Sequence, residues 1–199
     1  MQNISESIER WKMRYFKLIY DYEKDDNYVN CDIANIGNMN EYITISGKEI
    51  EQWGNVVFEY NSEEGNILTD YLANLYRWFV VSDDFRQLTQ DIIENQVQYL
   101  PVKVIDRFTS SEVDSYFVAN IVTIVDALDL ENSKYDVFEL DDEKIISVEK
   151  YALRGNEIVG KHIFRLKDDT IPIFVSETLK KAIEDNDFIG FKFLEVDVI

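Results

Sequence analysis

The chain has 199 residues, 46% of them hydrophobic and 14% aromatic, and it carries 39 Asp and Glu against 20 Lys and Arg, a net charge of −19 at pH 7. So much apolar material excludes intrinsic disorder and lets a single domain bury a substantial core. The charge opposes binding to nucleic acid or anionic membranes and favours basic protein partners, and the only cysteine, Cys31, excludes an internal disulfide and suits a reducing cytosol.

The opening stretch MQNISESIERWKM is polar and acidic, without the apolar centre of a secretory signal. Residues 5–12 are expected to form a short, loosely attached helix, and residues 1–12 an extension to a domain over 13–199. RYFKLIYDY at 14–22 is aromatic and β-branched, which predicts a strand ended by the charged turn 23–27. Residues 42–46 and 55–60 read as two more strands, with turn chemistry at 47–48 and 61–66. Residues 67–76 are more helical in composition.

One cassette then occurs twice. Residues 79–106 and 173–199 each begin with a short apolar strand ending in Ser82 or Ser176, followed by acidic residues. A serine before carboxylates predicts a helix start, because the side chain caps free N–H groups and the acids suit the helix dipole. The helix buries Phe85, Leu88, Ile92 and Ile93 in the first copy, and Leu179, Ala182 and Ile183 in the second. A strand follows in each, 97–105 and 189–198. The copies share few identities beyond Phe-Val and Ser, so chance use of common local grammar is preferred over duplication.

Between the cassettes, residues 116–125, 134–140 and 158–166 read as strands. Pro101 interrupts a good strand, which places that strand at an edge or gives it a bulge. The most apolar segment, 116–130, is interrupted by Asn120, Thr123, Asp126 and Asp129 and is too short to span a membrane. No Gly-, Ser- or Pro-rich linker divides the chain. The expected fold is α+β: a single domain with a mixed or mainly antiparallel sheet and a few helices, including two strand–helix–strand units.

Catalytic groups are sparse. His162 is the only imidazole and Cys31 the only thiol; a lone His is more often structural, and a free Cys more often a small core residue. Zinc-type sites lack ligands, the carboxylate clusters lack the calcium-loop pattern, and neither phosphate-binding glycine motif occurs. No catalytic residue, metal or cofactor is therefore expected.

The acidity is localised. Residues 1–24 have a net charge of +1 and residues 144–199 a net of −1, whereas residues 25–143 carry 25 acids and six bases. Within that stretch, 25–76 holds ten acids and only Lys48 as a base. Partner contact is expected at Asp25, Asp26, Trp53, Glu63, Glu64, Asp70, Asp141, Asp142 and Glu143. For any one of these residues, a solvated turn or a core position is the commoner role.

Several segments resemble a known family. MRYFKLIYDYE at 13–23, ILTDYLANLYRWFVVSDDF at 67–85, VQYLPVKVI at 97–105, YFVANIVTIVDALDLENSKY at 116–135, IFRLKDDTIPIFVSETLKKAIE at 163–184 and GFKFLEV at 190–196 are similar, in order and spacing, to immunity-protein family eleven of bacterial polymorphic toxin systems. The resemblance implies a non-enzymatic cytoplasmic protein that binds and blocks a cognate toxin, with no catalytic residues to carry over. The charge suits a basic toxin, of which a nuclease is one kind; an acidic nucleic-acid mimic that regulates a DNA-handling protein is the alternative.

Overall fold

The computed structural model describes residues 13–140 and 143–199, so the helix expected at 5–12 lies outside the described residues. Aromatic and branched side chains form the strands, as their preference for a pleated, half-buried surface requires. The strands are β1 (Tyr15–Tyr20), β2 (Asn30–Cys31), β3 (Ile33–Asn35), β4 (Val57–Tyr60), β5 (Tyr71–Asn74), β6 (Val80–Ser82), β7 (Val97–Asp106), β8 (Glu112–Ile121) and β9 (Ile124–Val125). They continue with β10 (Lys134–Leu140), β11 (Glu143–Lys150), β12 (Ala152–Leu153), β13 (Ile163–Leu166), β14 (Ile173–Ser176) and β15 (Phe191–Val198). The helices are α1 (Asp83–Thr89) and α2 (Glu177–Asp185).

Two mixed sheets result. A seven-stranded sheet has the order β2-β5-β6-β8-β7-β4-β3, and a six-stranded sheet the order β12-β15-β1-β14-β13-β9. β10 and β11 pair only with each other. The α+β single-domain expectation agrees with this architecture. Both helices contribute to one core shared by the sheets: Phe85 of α1 and Leu179 and Ile183 of α2 join Phe16 and Leu18 of β1, Val81, Ile93, Ala119, Ile121 and Val175. The Phe85 ring stacks on Phe191 at 5.4 Å, which ties the first helix to the last strand. Truncating such a buried aromatic to Ala costs about 3–5 kcal/mol.

Both cassettes form, but the first helix ends at Thr89, so Ile92 and Ile93, expected on its face, lie in the turns beyond it. Ser82 Oγ accepts from Phe85 N at 3.2 Å, and Ser176 Oγ accepts from Leu179 N at 3.3 Å. The likeness extends far beyond the caps. β8 lies between β6 and β7 with Ser82↔Tyr116↔Val102 in register, and β1 lies between β14 and β15 with Ser176↔Tyr15↔Val196 in register. Outside these, β5 is antiparallel to β6 as β13 is to β14, β4 is parallel to β7 as β12 is to β15, and β2 is parallel to β5 as β9 is to β13.

The chain thus repeats one unit, β1, β2 and β4 to β7 in the first half and β8, β9 and β12 to β15 in the second, with β3, β10 and β11 outside the repeat, and each copy lends its first strand to the other's sheet. This corrects the preference for chance: repeated registers in separate ladders are not a product of local grammar. The signal lies in pairing geometry, which tolerates wide change in side-chain identity as long as the inward and outward alternation is kept.

Other expectations need revision. Residues 71–74 form a strand, not a helix; all four are buried, and a fully buried run has no period that separates strand from helix. Residues 43–45 form a 3₁₀ turn instead of a strand, with Ser46 Oγ donating to the Ile43 carbonyl. The strand expected over 158–166 spans only Ile163–Leu166, because a 3₁₀ turn at Gly155–Glu157 occupies the approach. β7 is not an edge strand, but its register shifts between Val102 and Val104, a bulge beside Pro101. β4 begins only opposite Lys103, so Pro101 faces no strand on that flank, and its carbonyl accepts from Trp53 Nε1 at 2.8 Å instead.

Ser82 and Ser176 each do more than cap. Ser82 Oγ also donates to Asp70 Oδ1 at 2.7 Å, and Ser176 Oγ lies 2.8 Å from His162 Nδ1, with Asp70 and His162 at equivalent places in the two repeats. Replacing either serine by Ala is expected to cost more than the ~1 kcal/mol of a lost cap alone. Urea unfolding followed by circular dichroism measures this; a loss below about 0.5 kcal/mol would show that the caps are not used this way.

Candidate functional site

The turn at 21–28 and the loop at 61–66 carry four of the expected contact residues, and the fold brings the two segments together. Val29 N donates to Ile67 O and Ile67 N to Asn27 O, both at 2.9 Å. Gly65 packs so closely that a Cβ there would meet the Tyr28 carbonyl oxygen at 2.8 Å, an approach that excludes any other residue. Asp26, Glu63 and Glu64 are exposed on this rim and Asp25 is half-buried. Local hydrogen bonds shape both segments: Asp25 Oδ1 accepts from Asn27 N, and Asn61 accepts from Glu63 N while its amide donates to Glu64.

Two of the bases near the rim are engaged, while Lys24, in the turn itself, is exposed and makes no ion pair among the described residues. Arg107 pairs with Asp32 at 3.1 Å and Lys192 with Glu23 at 2.5 Å. The rim therefore presents carboxylates to solvent, in the part of the chain where ten acids face a single base.

Asp106 anchors this end of the seven-stranded sheet. Only 2% exposed, it accepts from Ser62 N, Phe108 N and Thr109 Oγ1, which ties the acidic loop to the β7–β8 turn. Burial alone would push this carboxylate up, but the Thr109, Ser62 and Phe108 donors outweigh burial and hold its pKa far below the ordinary value.

The remaining expected residues separate from the rim. The Trp53 ring packs 5.9 Å from Trp78 and its indole N–H is taken by Pro101. Asp70 accepts from Ser82 Oγ and from Ile189 N, joining the two repeats. Asp141 and Asp142 lie outside the described residues, and Glu143 opens β11 opposite Leu140.

β10 and β11 form a ribbon that leaves large apolar side chains in solvent: Val137 is 51%, Phe138 55% and Ile145 45% exposed. Phe138 and Ile145 are cross-strand partners on one face of the ribbon, and Val137 and Ile146, with Tyr135 and Val148, are partners on the other. A two-stranded ribbon alone is marginal in water. The sequence points to β10 but not to β11 or to this exposure, since the same alternation would serve equally well against a core.

Cys31 and His162 are not arranged for catalysis. Cys31 has no exposed surface, and burial pushes its thiol up to about 12, so it is protonated at neutral pH. His162 is half-buried, its pKa lowered by that burial, with Nδ1 against Ser176 and its backbone N–H on Gln96 Oε1. No group of three or more His, Cys, Asp or Glu among the described residues is placed to hold a metal ion. No helix among them is long and apolar enough to cross a membrane.

A group whose folded pKa is depressed contributes stability that is present above its unfolded value and lost as pH falls toward the folded one. The Tm difference between the wild type and Asp106→Asn is therefore expected to be constant above about pH 5 and to shrink below about pH 4. Thermal melts across pH 2–7 test this, and a difference independent of pH would show that the Asp106 charge is not what holds the loop.

Comparison with known proteins places this geometry in context. The family model described as Immunity protein family (Imm11) matches residues 16–198, nearly the whole chain. No curated protein matches it.

Proposed function

The chain belongs to the Immunity protein family (Imm11), and on that premise we propose that it is a non-enzymatic cytoplasmic inhibitor that binds and neutralises a cognate bacterial toxin through its acidic rim. The observation that carries this reading is the convergence of Asp25 and Asp26 with Glu63 and Glu64 on one edge, held by the backbone approach at Gly65. A concentrated negative field steers a basic partner and can raise association to about 10⁸–10⁹ M⁻¹s⁻¹ at low salt. Speed matters to an antidote, because free toxin acts while it diffuses.

Charge alone gives rate and orientation; lifetime comes from desolvated apolar anchors. The exposed Phe138, Val137 and Ile145 of the ribbon supply such anchors. A basic nuclease is the toxin class this combination suits best. An acidic nucleic-acid mimic would use the rim equally well, and family membership favours the toxin as partner.

The test is co-expression with the toxin domain encoded beside this protein, scoring growth rescue and co-purification. Reversing Asp25, Asp26, Glu63 and Glu64 to Lys together is expected to slow association at least tenfold at low salt and to flatten its salt dependence. Phe138→Ser is expected to raise the dissociation rate with little change in association. An unchanged association rate in the fourfold reversal would remove the rim from the interface.

A further inference from the structure

A cavity of about 730 Å³ opens where β1, β5 and the β13–β14 connection meet, a volume typical of small-ligand sites. Its charged walls contrast with the rest of the molecule: Lys17, Arg77 and Arg165 line it, and Glu41 is the only acid among the described residues that do. A net-positive hollow in a protein of charge −19 is not a by-product of composition.

Three residues that line it bury a polar atom without a partner: Tyr20 at its hydroxyl, Thr44 and Arg165. Arg165 is 2% exposed; its Nη1 donates to the Thr170 and Ile171 carbonyls, but its Nε meets no acceptor. Thr44 is likewise 2% exposed, and its hydroxyl has no partner. Burial lowers the Arg165 pKa only to about 10, so the guanidinium stays charged at neutral pH. Leaving a charged donor and a hydroxyl unsatisfied in the interior is costly, and such groups call for an explanation.

The walls indicate what would satisfy them. Tyr76 and Trp78 form an aromatic side with ring centroids 5.5 Å apart, and Ile45, Ile171 and Ile173 add aliphatic surface. A guanidinium is the side chain best suited to a planar carboxylate. Glu41 at the wall disfavours a phosphate dianion, which would also need more donors.

We propose that this cavity binds a monoanionic carboxylate carried on an aromatic or aliphatic body, with Arg165 pairing the carboxylate and Thr44 donating a second hydrogen bond. The carboxylate comes either from a free small acid or from an acidic residue beside an aromatic one on a protein partner; only the second source rests on toxin binding. A free small acid would make the protein's stability, and with it its readiness as an inhibitor, respond to a metabolite.

The probes are phenylacetate, its neutral isostere phenylacetamide, and a blocked Glu-Phe dipeptide, each at 10 mM with matched ionic strength. Melting of the full chain and tryptophan fluorescence are the readouts. Phenylacetate or the dipeptide is expected to raise Tm by about 3 °C with a saturable fluorescence change, and phenylacetamide is not. A response to phenylacetate assigns a free acid, and a response to the dipeptide alone assigns the partner.

Thr44→Val separates binding from folding: the free protein should melt higher, because an unpartnered hydroxyl is removed, while probe affinity falls about five- to tenfold. Arg165→Met should abolish the response. Equal effects of phenylacetate and phenylacetamide, no response to any probe, or undiminished affinity in Thr44→Val would overturn the proposal.

Discussion

Each sheet is completed by a strand from the other half of the chain, and most of the architecture follows from that exchange. β1 joins β14 to β15, and β8 joins β6 to β7. Without the exchanged strand, neither parallel pair has the antiparallel partner that bridges it, and its inner backbone groups would be orphaned. The repeats therefore cannot fold as independent units, and their helices meet in one core. The β1–β15 ladder pairs Tyr20 with Phe191, so closing it needs nearly the whole chain. Such non-local pairing makes for slow folding.

The same arrangement explains how a strongly charged chain stays compact. Acids concentrate in the turns and loops at the sheet ends, outside the ladders, where carboxylates remain hydrated. Surface pairs such as Arg154 with Asp126 and Lys103 with Glu112 contribute little each and leave most of the negative field in place. Asp106 is the exception that proves structural: its charge is taken inside, and three donors on two connections are organised around it. The acidic rim and the cationic cavity thus occupy different physical regimes, one on a solvated edge, the other a recess with buried polar groups in its wall.

Symmetry also separates residues of like appearance. Asp70, expected as a contact residue, and His162, considered as a catalytic one, occupy equivalent positions and do equivalent work, each holding the serine that caps a helix. Neither role could be inferred from residue type. An acid in an acidic stretch reads as surface, and a lone imidazole reads as chemistry, until the strand that presents it is known.

The two Ser-capped cassettes, the concentration of acid before residue 143 and the family resemblance were legible because they depend on local chemistry, composition and order. The strand at 71–74 was not, since a run buried on both sides loses its period, and the exposure of Phe138 and Ile145 was not, since alternation does not say what covers a face. Sequence alone therefore determined the elements with local caps and turns, the sign of the field and the family. Tertiary structure alone decided that β1 and β8 change places, that two acidic loops share one rim, and that Arg165 stands in a cavity. These depend on segments more than a hundred residues apart or on backbone approaches such as Gly65 against Tyr28, where the governing quantity is distance in space, which no local pattern encodes.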